Sequence, residues 1–245
     1  MSLPVVTGLI RRRLLVNYRV DPSVVAPLLP EGFRPKLHRG QAIAGICLIR
    51  LEDIRPRMLP VWAGINSENV AHRIAVLCDD EDGTTREGVF IPRRDTSSLA
   101  NHLAGGRIFP GEHHLADFIV CDDHGIIEIK ARARDGHMSL SLSATESDEF
   151  PASSCFNSLK ESSDFFETGS VGYSTTKSCD HLDAIRLETY QWQVKPLTVS
   201  KVASSYFDNP ALFPAGSAVF DHALIMRDVA HEWHSMESRR VAVPA

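Results

Sequence analysis

The sequence predicts a mainly antiparallel β (α+β) fold with a few short helices, and three observations carry that expectation. The apolar runs are short and punctuated by turn residues. One of them alternates strictly: Ile127, Ile129, Ala131 and Ala133 interleave with Glu128, Lys130, Arg132 and Arg134, giving a strand with one buried and one charged face. Strands do not alternate with long helices, as a wound βαβ sheet requires. With 245 residues, 43% of them hydrophobic, the chain can bury one sizeable core. It is read as a single domain over 1–245, with its core at about 11–228 and a C-terminal tail over 229–245.

The elements follow in order. Leu14 to Val20 reads as a strand. Asp21-Pro22 sets an N-cap residue before a proline at the first helical position, so Ser23 to Leu29 reads as a short helix ended by Pro30. Ala42 to Ile54 is a long buried strand with Ile43, Cys47, Ile49 and Leu51 along one face; Val70 to Cys78 and Gly88 to Pro92 are the next two. Asp95 or Thr96 caps a short helix through Leu103, stopped by Gly105-Gly106. Leu115 to Val120 and Ile126 to Ala133 form a hairpin around Asp122-Asp123-His124-Gly125, and Met138 to Ala144 pairs back across Asp135-Gly136. Ser153-Ser154 precedes a helix marked by Cys155, Phe156, Leu159, Ser163 and Phe166. Arg186 to Val194, Leu197 to Tyr206 and Ala218 to Met226 supply the last strands.

Composition removes several classes of function. The net charge is −5 and the pI near 6.1, which argues against a nucleic-acid binder, and Arg11-Arg12-Arg13 is too short a basic run to change that. Five scattered cysteines (Cys47, Cys78, Cys121, Cys155 and Cys179) form no C-x-x-C pair, so neither a disulfide framework nor a zinc knuckle is expected. Cys47 and Cys78 sit in apolar runs and read as small core residues. With no apolar leader and no run of ~18 apolar residues, the expectation is a cytoplasmic protein without a membrane partner. No Gly-rich phosphate loop, G-x-S-x-G elbow, Walker motif or H-E-x-x-H occurs, and no cofactor or metal is expected.

Three segments concentrate titratable groups. In Asn66-Ser67-Glu68-Asn69-Val70-Ala71-His72-Arg73, Glu68, Val70 and His72 share one strand face, so a Glu and a His project together, either as a general acid/base pair or as a plain ion pair. Gly105-Gly106-Arg107-Ile108-Phe109-Pro110-Gly111-Glu112-His113-His114 joins two turns to an arginine and a His pair, of which only one His can face inward. An inward His near Glu68 would be a proton shuttle poised near neutral pH; an exposed His pair is the plainer alternative. Ile91-Pro92-Arg93-Arg94-Asp95 adds guanidiniums able to grip a carboxylate, or a local Arg94–Asp95 ion pair. His231-Glu232-Trp233-His234 has the wrong spacing for a zincin and reads as a surface tail.

At these residues the chain resembles the acetoacetate decarboxylase-like superfamily, from about Arg11 to Met226 and in the family's motif order. Tyr18-Arg19-Val20-Asp21 through Leu28-Leu29-Pro30-Glu31 resembles the family's Tyr-Arg-Thr-Asp segment, short helix and Val-Pro-Glu. Ser67-Glu68 resembles its Thr-Glu-Ser, and Gly106-Arg107 the opening of its Gly-Arg-Glu motif, which ends in Pro-Lys-Lys. Val202-Ala203-Ser204-Ser205, Phe213-Pro214 and Phe220-Asp221 resemble its C-terminal Val-x-Ser-Ser and closing strand. The variant wording of the motifs looks like a YqjF-like branch. The resemblance implies a β-cone or barrel, a homo-oligomer, and a central pocket for a small carboxylate or carbonyl compound lined by Arg11, Glu68, Arg107 and His114.

The departure is chemical. In decarboxylases of this family the first lysine of the pair forms a Schiff base with the β-keto acid. Counting from Gly106-Arg107, His114 falls at that position, Leu115 beside it and Ile108 at the motif's Glu. None of Lys36, Lys130, Lys160, Lys177, Lys195 and Lys201 matches the site; only mid-strand Lys130 is a candidate for a displaced nucleophile. Three readings remain open at this point. The first is lyase- or isomerase-type acid/base chemistry by Glu68 and His114, with Arg11, Arg94, Arg107 and His113 binding substrate. The second is non-catalytic binding or sensing of a small molecule. The third is a metal-assisted hydrolase or lyase, with a metal held by His113 or His114 with Glu68, or by His231 and His234.

Overall fold

The turn-punctuated apolar runs become strands of one mixed sheet. The computed structural model describes residues 4–79, 83–105, 111–177 and 180–240. Among these, in chain order, lie β1 (Val6–Val20), β2 (Phe33–Pro35), β3 (Leu37–His38), β4 (Gln41–Pro56), β5 (Ile65–Asp79), β6 (Thr85–Thr96), β7 (His114–Asp123), β8 (Ile126–Ala133), β9 (Ser139–Glu146), β10 (Val171–Thr175), β11 (His181–Thr189), β12 (Lys195–Ser204), β13 (Ala218–Ser235) and β14 (Arg239–Arg240). The α-helices are short: α1 (Pro22–Val25), α2 (Leu99–Ala104) and α3 (Leu159–Glu167). Pairing is antiparallel except where β6 runs beside β10 and β7, so the expected mainly antiparallel class holds.

The pairings close two rings that share a wall. One ring runs β1–β4–β5–β6–β10–β11–β13 and back to β1. The other leaves β6 for β7, β8, β9 and β12 and returns through β13, β1, β4 and β5. Every strand of the shared wall therefore shows alternate residues to two different surroundings. Along β1, Leu14, Val16 and Tyr18 join the main apolar core, whereas Leu15 joins a second, smaller cluster. Along β5, Val70, Ile74 and Val76 belong to the first and Ala71 and Ala75 to the second. The long strands the sequence predicts are thus two-sided, which is why their apolar runs are continuous.

Several local expectations are met. Asp21 accepts from the Ser23 N–H at 2.8 Å and caps α1, with Pro22 in the first turn. β7 and β8 turn at His124 and Gly125, both at positive φ of 48° and 80°, the geometry a two-residue hairpin requires. Others are corrected. Asp95 and Thr96 end β6 and are buried; the α2 cap is Ser98, whose hydroxyl accepts from the Asn101 N–H at 3.2 Å. α3 starts at Leu159 under a Ser158 cap, later than Ser153-Ser154 suggested. Of the expected 229–245 tail, residues 229–240 are no tail, because β13 continues to Ser235 and pairs with both β1 and β11 and β14 pairs with β11; 241–245 lie outside the described residues. His231 within it is wholly buried. Among the described residues no helix is long and apolar enough to cross a membrane.

Candidate functional site

A cavity of about 140 Å³ lies inside the first ring, and each of its seven strands contributes to the lining. Arg13 comes from β1, Cys47 from β4, Arg73 from β5 and Arg94 from β6, with His113 just before β7. Trp192 and Trp233 supply aromatic wall, and α3 adds Phe166. Strand periodicity explains the set. Arg13 and Leu15 share the cavity side of β1, and Ala71 and Arg73 share that of β5. A register shift between Ile10 and Arg12 brings Ile10, three residues from Arg13, onto the same side.

The three guanidiniums hydrogen-bond only to neutral groups among the described residues, with the Asp183 carboxylate acting on Arg94 through its charge. Arg13 donates from Nε to the Cys47 Sγ at 3.3 Å and lies 5.8 Å from the Trp192 ring centroid. Arg94 donates from Nε to the Ser174 hydroxyl at 2.9 Å. Arg73, 3% exposed, donates from Nη2 to the Asn17 side-chain carbonyl and sits 4.7 Å from the Phe166 centroid. Burial pushes both Arg73 and Arg94 down to about 10, so each stays charged at neutral pH. Arg13 Nη1 and Arg73 Nε are buried and have no hydrogen-bond partner among the described residues. The acidic lining residue, Glu167, is exposed. A buried charge without a counter-charge is costly, and these guanidiniums give the cavity wall a positive character. Burial, reinforced by Arg94, holds His113 down to about 3 and hence neutral.

A second polar cluster fixes Arg73. Asn17 Nδ2 lies 3.0 Å from His222 Nε2, which also accepts from the Ser162 hydroxyl at 2.7 Å. His222 Nδ1 donates to Asp221 at 2.6 Å, the tautomer that satisfies both sides of the ring. Asp221 in turn accepts from Arg19, Ser154 and the Cys155 N–H. Ser162, His222 and Asp221 have the order of a hydrolytic triad, yet Ser162 is wholly buried and outside the cavity lining. The cluster therefore orients Asn17, and through it the Arg73 fork.

The sequence-predicted residues divide. Arg94 and His113 line the cavity. Arg11 does not: it is exposed and paired with Glu52 at 2.9 Å and Asp228 at 2.5 Å, so the cavity residue of the Arg11–Arg13 run is Arg13. Arg107 lies outside the described residues. Glu68 is on the other side of the β5 wall, where it accepts from Arg12 at 2.7 Å, and burial raises its carboxyl against the pull of that arginine. His114 faces Asp135 at 3.3 Å instead of Glu68, because its neighbour His113 takes the inward position. Cys47 is a buried member of the second apolar cluster, as expected, and also lines the cavity; Cys78 is core, donating to the Tyr173 hydroxyl at 3.2 Å. Arg73 and Cys47 escaped the sequence reading as site residues, although an arginine inside the apolar run Val70–Cys78 was a usable signal. No group of three or more His, Cys, Asp or Glu able to hold a metal exists among the described residues.

The chain matches the DUF2071 family model, described as an uncharacterized conserved protein, over residues 9–225, and it belongs to that family. No curated protein matches it at significant similarity. Among solved structures it is similar to an acetoacetate decarboxylase from Legionella pneumophila at 12% identity, covering 96% of this chain and 88% of that one with a TM-score of 0.56. An acetoacetate decarboxylase-like enzyme from Sphingomonas wittichii RW1 matches at 14% identity, 97% and 92% coverage and a TM-score of 0.56. The enduracididine biosynthesis enzyme MppR complexed with pyruvate matches at 11% identity, 100% and 93% coverage and a TM-score of 0.55. These likenesses establish an acetoacetate decarboxylase-like fold.

Proposed function

We propose that this DUF2071 member binds a small 2-oxo carboxylate inside its first strand ring and acts on it without an imine, in a lyase- or isomerase-like reaction with neutral His113 as the proton carrier. The observation that carries the reading is the meeting of Arg13, Arg73 and Arg94 in one cavity with no carboxylate in contact with them among the described residues. A bound carboxylate supplies the missing counter-charge, and the guanidinium fork suits it. The pyruvate complex of MppR supports the choice of ligand class. The imine-free part rests on the lysines: none lines the cavity, Lys36 is paired with Glu87 at 2.7 Å, and Lys130, Lys160, Lys177, Lys195 and Lys201 are exposed. This absence also fits the YqjF-like branch. The shared wall between the two rings supports treating the chain as one domain.

Calorimetric titration with pyruvate, 2-oxobutyrate and acetoacetate tests the binding. Solvent deuterium exchange into the carbon beside the carbonyl tests the proton transfer. Binding with exchange that disappears in His113→Gln is expected. No heat and no thermal stabilisation by any of the three acids overturns the binding reading. A borohydride-trapped lysine adduct overturns the imine-free chemistry.

A further inference from the structure

Cys47 is 4% exposed and on the cavity wall, and its sulfur receives a hydrogen bond from Arg13. The Nε edge of the Arg13 guanidinium touches the thiol, and Nη2 on that same edge has no hydrogen-bond partner among the described residues, whereas Nη1, on the far side, is buried. Arg73, also on the wall, keeps Nε unpaired in the same way. A cation that holds a sulfur with one N–H and leaves another free beside it has the parts of a covalent-addition site. One donor steadies the nucleophile and the other receives the oxygen that becomes negative during attack. The hydroxyl nucleophiles of the wall, Ser170 and Thr189, receive no such guanidinium bond among the described residues.

We propose that Cys47 adds reversibly to the carbonyl carbon of the bound 2-oxo acid, with Arg13 holding the oxygen and Arg73 and Arg94 holding the carboxylate. The step rests on the cavity reading above and adds a covalent bond to it. The S–C bond forms, and the π pair of the carbonyl moves onto oxygen beside Arg13. The thiol proton ends on that oxygen, giving a thiohemiketal. Nothing is oxidised or reduced, no co-reactant is consumed, and reversal returns the free acid. A cysteine thereby takes the covalent role for which the wall offers no lysine.

Iodoacetate and iodoacetamide are the probes, because they share an alkylating carbon and differ in charge. Each is applied to the full chain, with labelling of Cys47 and of exposed Cys121 read by peptide mass mapping. At Cys47, iodoacetate is expected to exceed iodoacetamide by at least about tenfold relative to the same ratio at Cys121, as a cationic cleft concentrates an anion. Excess pyruvate protects Cys47, and Arg13→Gln lowers the preference while Arg73 and Arg94 keep part of it. With [2-¹³C]pyruvate, the wild type gives a bound tetrahedral carbon resonance that Cys47→Ser lacks, the free hydrate common to both samples serving as reference. If pyruvate still raises the melting temperature of wild type and Cys47→Ser equally, but Cys47 shows no iodoacetate preference and no tetrahedral signal, the covalent step is overturned and the binding reading stands. If pyruvate neither stabilises the protein nor protects Cys47, both are overturned together.

Discussion

Arg12 and Arg13 are adjacent on one strand and occupy opposite electrostatic worlds. Arg12, 2% exposed, points to one side of the wall and is met by Glu68 at 2.7 Å and Asp122 at 3.1 Å. Asp122 continues to Arg227 at 2.7 Å, and Arg227 to Glu146 at 2.7 Å, so charge on that side is matched pair by pair. Arg13 points to the other side and finds a thiol, an indole and, on the same cavity wall, the buried Arg73 and half-buried Arg94, which hydrogen-bond to neutral groups. The same residue type in the same strand thus marks two different purposes. Where the counter-charge is built in, the arginine ties strands together. Where it is left out, the fold carries an uncompensated charge that the proposed carboxylate would offset.

The largest effect expected from this division is on stability. Arg12→Met leaves the buried Glu68 beside an apolar side chain, Asp122 keeping Arg227, and should cost about 3–5 kcal/mol. Arg73→Met removes an uncompensated buried charge and should leave the ligand-free protein within about 1 kcal/mol of wild type, or more stable. Urea unfolding of the two variants side by side measures the contrast. Equal losses would erase the distinction between the two sides of the wall.

Next in size is the loss of ligand. Arg94→Gln and Arg73→Met each delete one charge-assisted contact, and the pyruvate Kd should rise roughly 10- to 150-fold, the equivalent of about 1.5–3 kcal/mol. Calorimetry on variants whose urea midpoints match wild type keeps this separate from unfolding. A Kd unchanged in both variants would remove the carboxylate from the cavity.

The same division explains what the sequence could and could not reveal. The long strands, the Asp21 cap and the His124-Gly125 hairpin were legible because each depends on local periodicity or on a turn residue's φ. β10 was missed: it is a five-residue strand, Val-Gly-Tyr-Ser-Thr, whose pairing with distant β6 and β11 decides its state. The end of β13 was misjudged for a similar reason, since His-Glu-Trp-His looks polar until β1 and β11 enclose it. Of the cavity lining, Arg94 and His113 were legible as groups beside turns. Glu68 drew attention because it shares a face with His72, but that face is the wrong side of a two-sided wall. Which side holds the cavity is a long-range property: it is fixed by ring closure through β10, β11 and β13, which no window of β5 contains.

A smaller effect separates the two sides through pH. His113 titrates at about 3 in the folded chain because of burial, against an ordinary 6.5 when unfolded. Between those values the unfolded chain binds the extra proton, so stability is fully present above pH 6.5 and is lost as pH falls toward 3. The loss from this one residue is about 1.4 kcal/mol per pH unit in that window. His72, likewise held to about 3 by burial, and His231, held to about 4, contribute in the same direction and should keep doing so in a His113→Gln variant. Urea midpoints at pH 7 and 5.5 should therefore fall for both proteins, and by less in His113→Gln. Identical slopes would mean that His113 is not held neutral in the cavity.

The smallest expected effect is the sharpest for function. Glu68→Gln and His114→Ala change the groups that family resemblance marks as catalytic, yet the first lies across the wall from the cavity and the second contacts Asp135. Glu68→Gln keeps the shape of the side chain and an oxygen able to accept from Arg12, so the strand stays in place. The pyruvate Kd of both variants should stay within about twofold of wild type, less than 0.5 kcal/mol, while solvent exchange into the ligand continues at the wild-type rate. Exchange that vanished in either variant, with binding intact, would move the proton carrier from His113 to the far side of β5 and β7. The ligand would then have to reach through the wall, and the two surroundings of Arg12 and Arg13 would be one site.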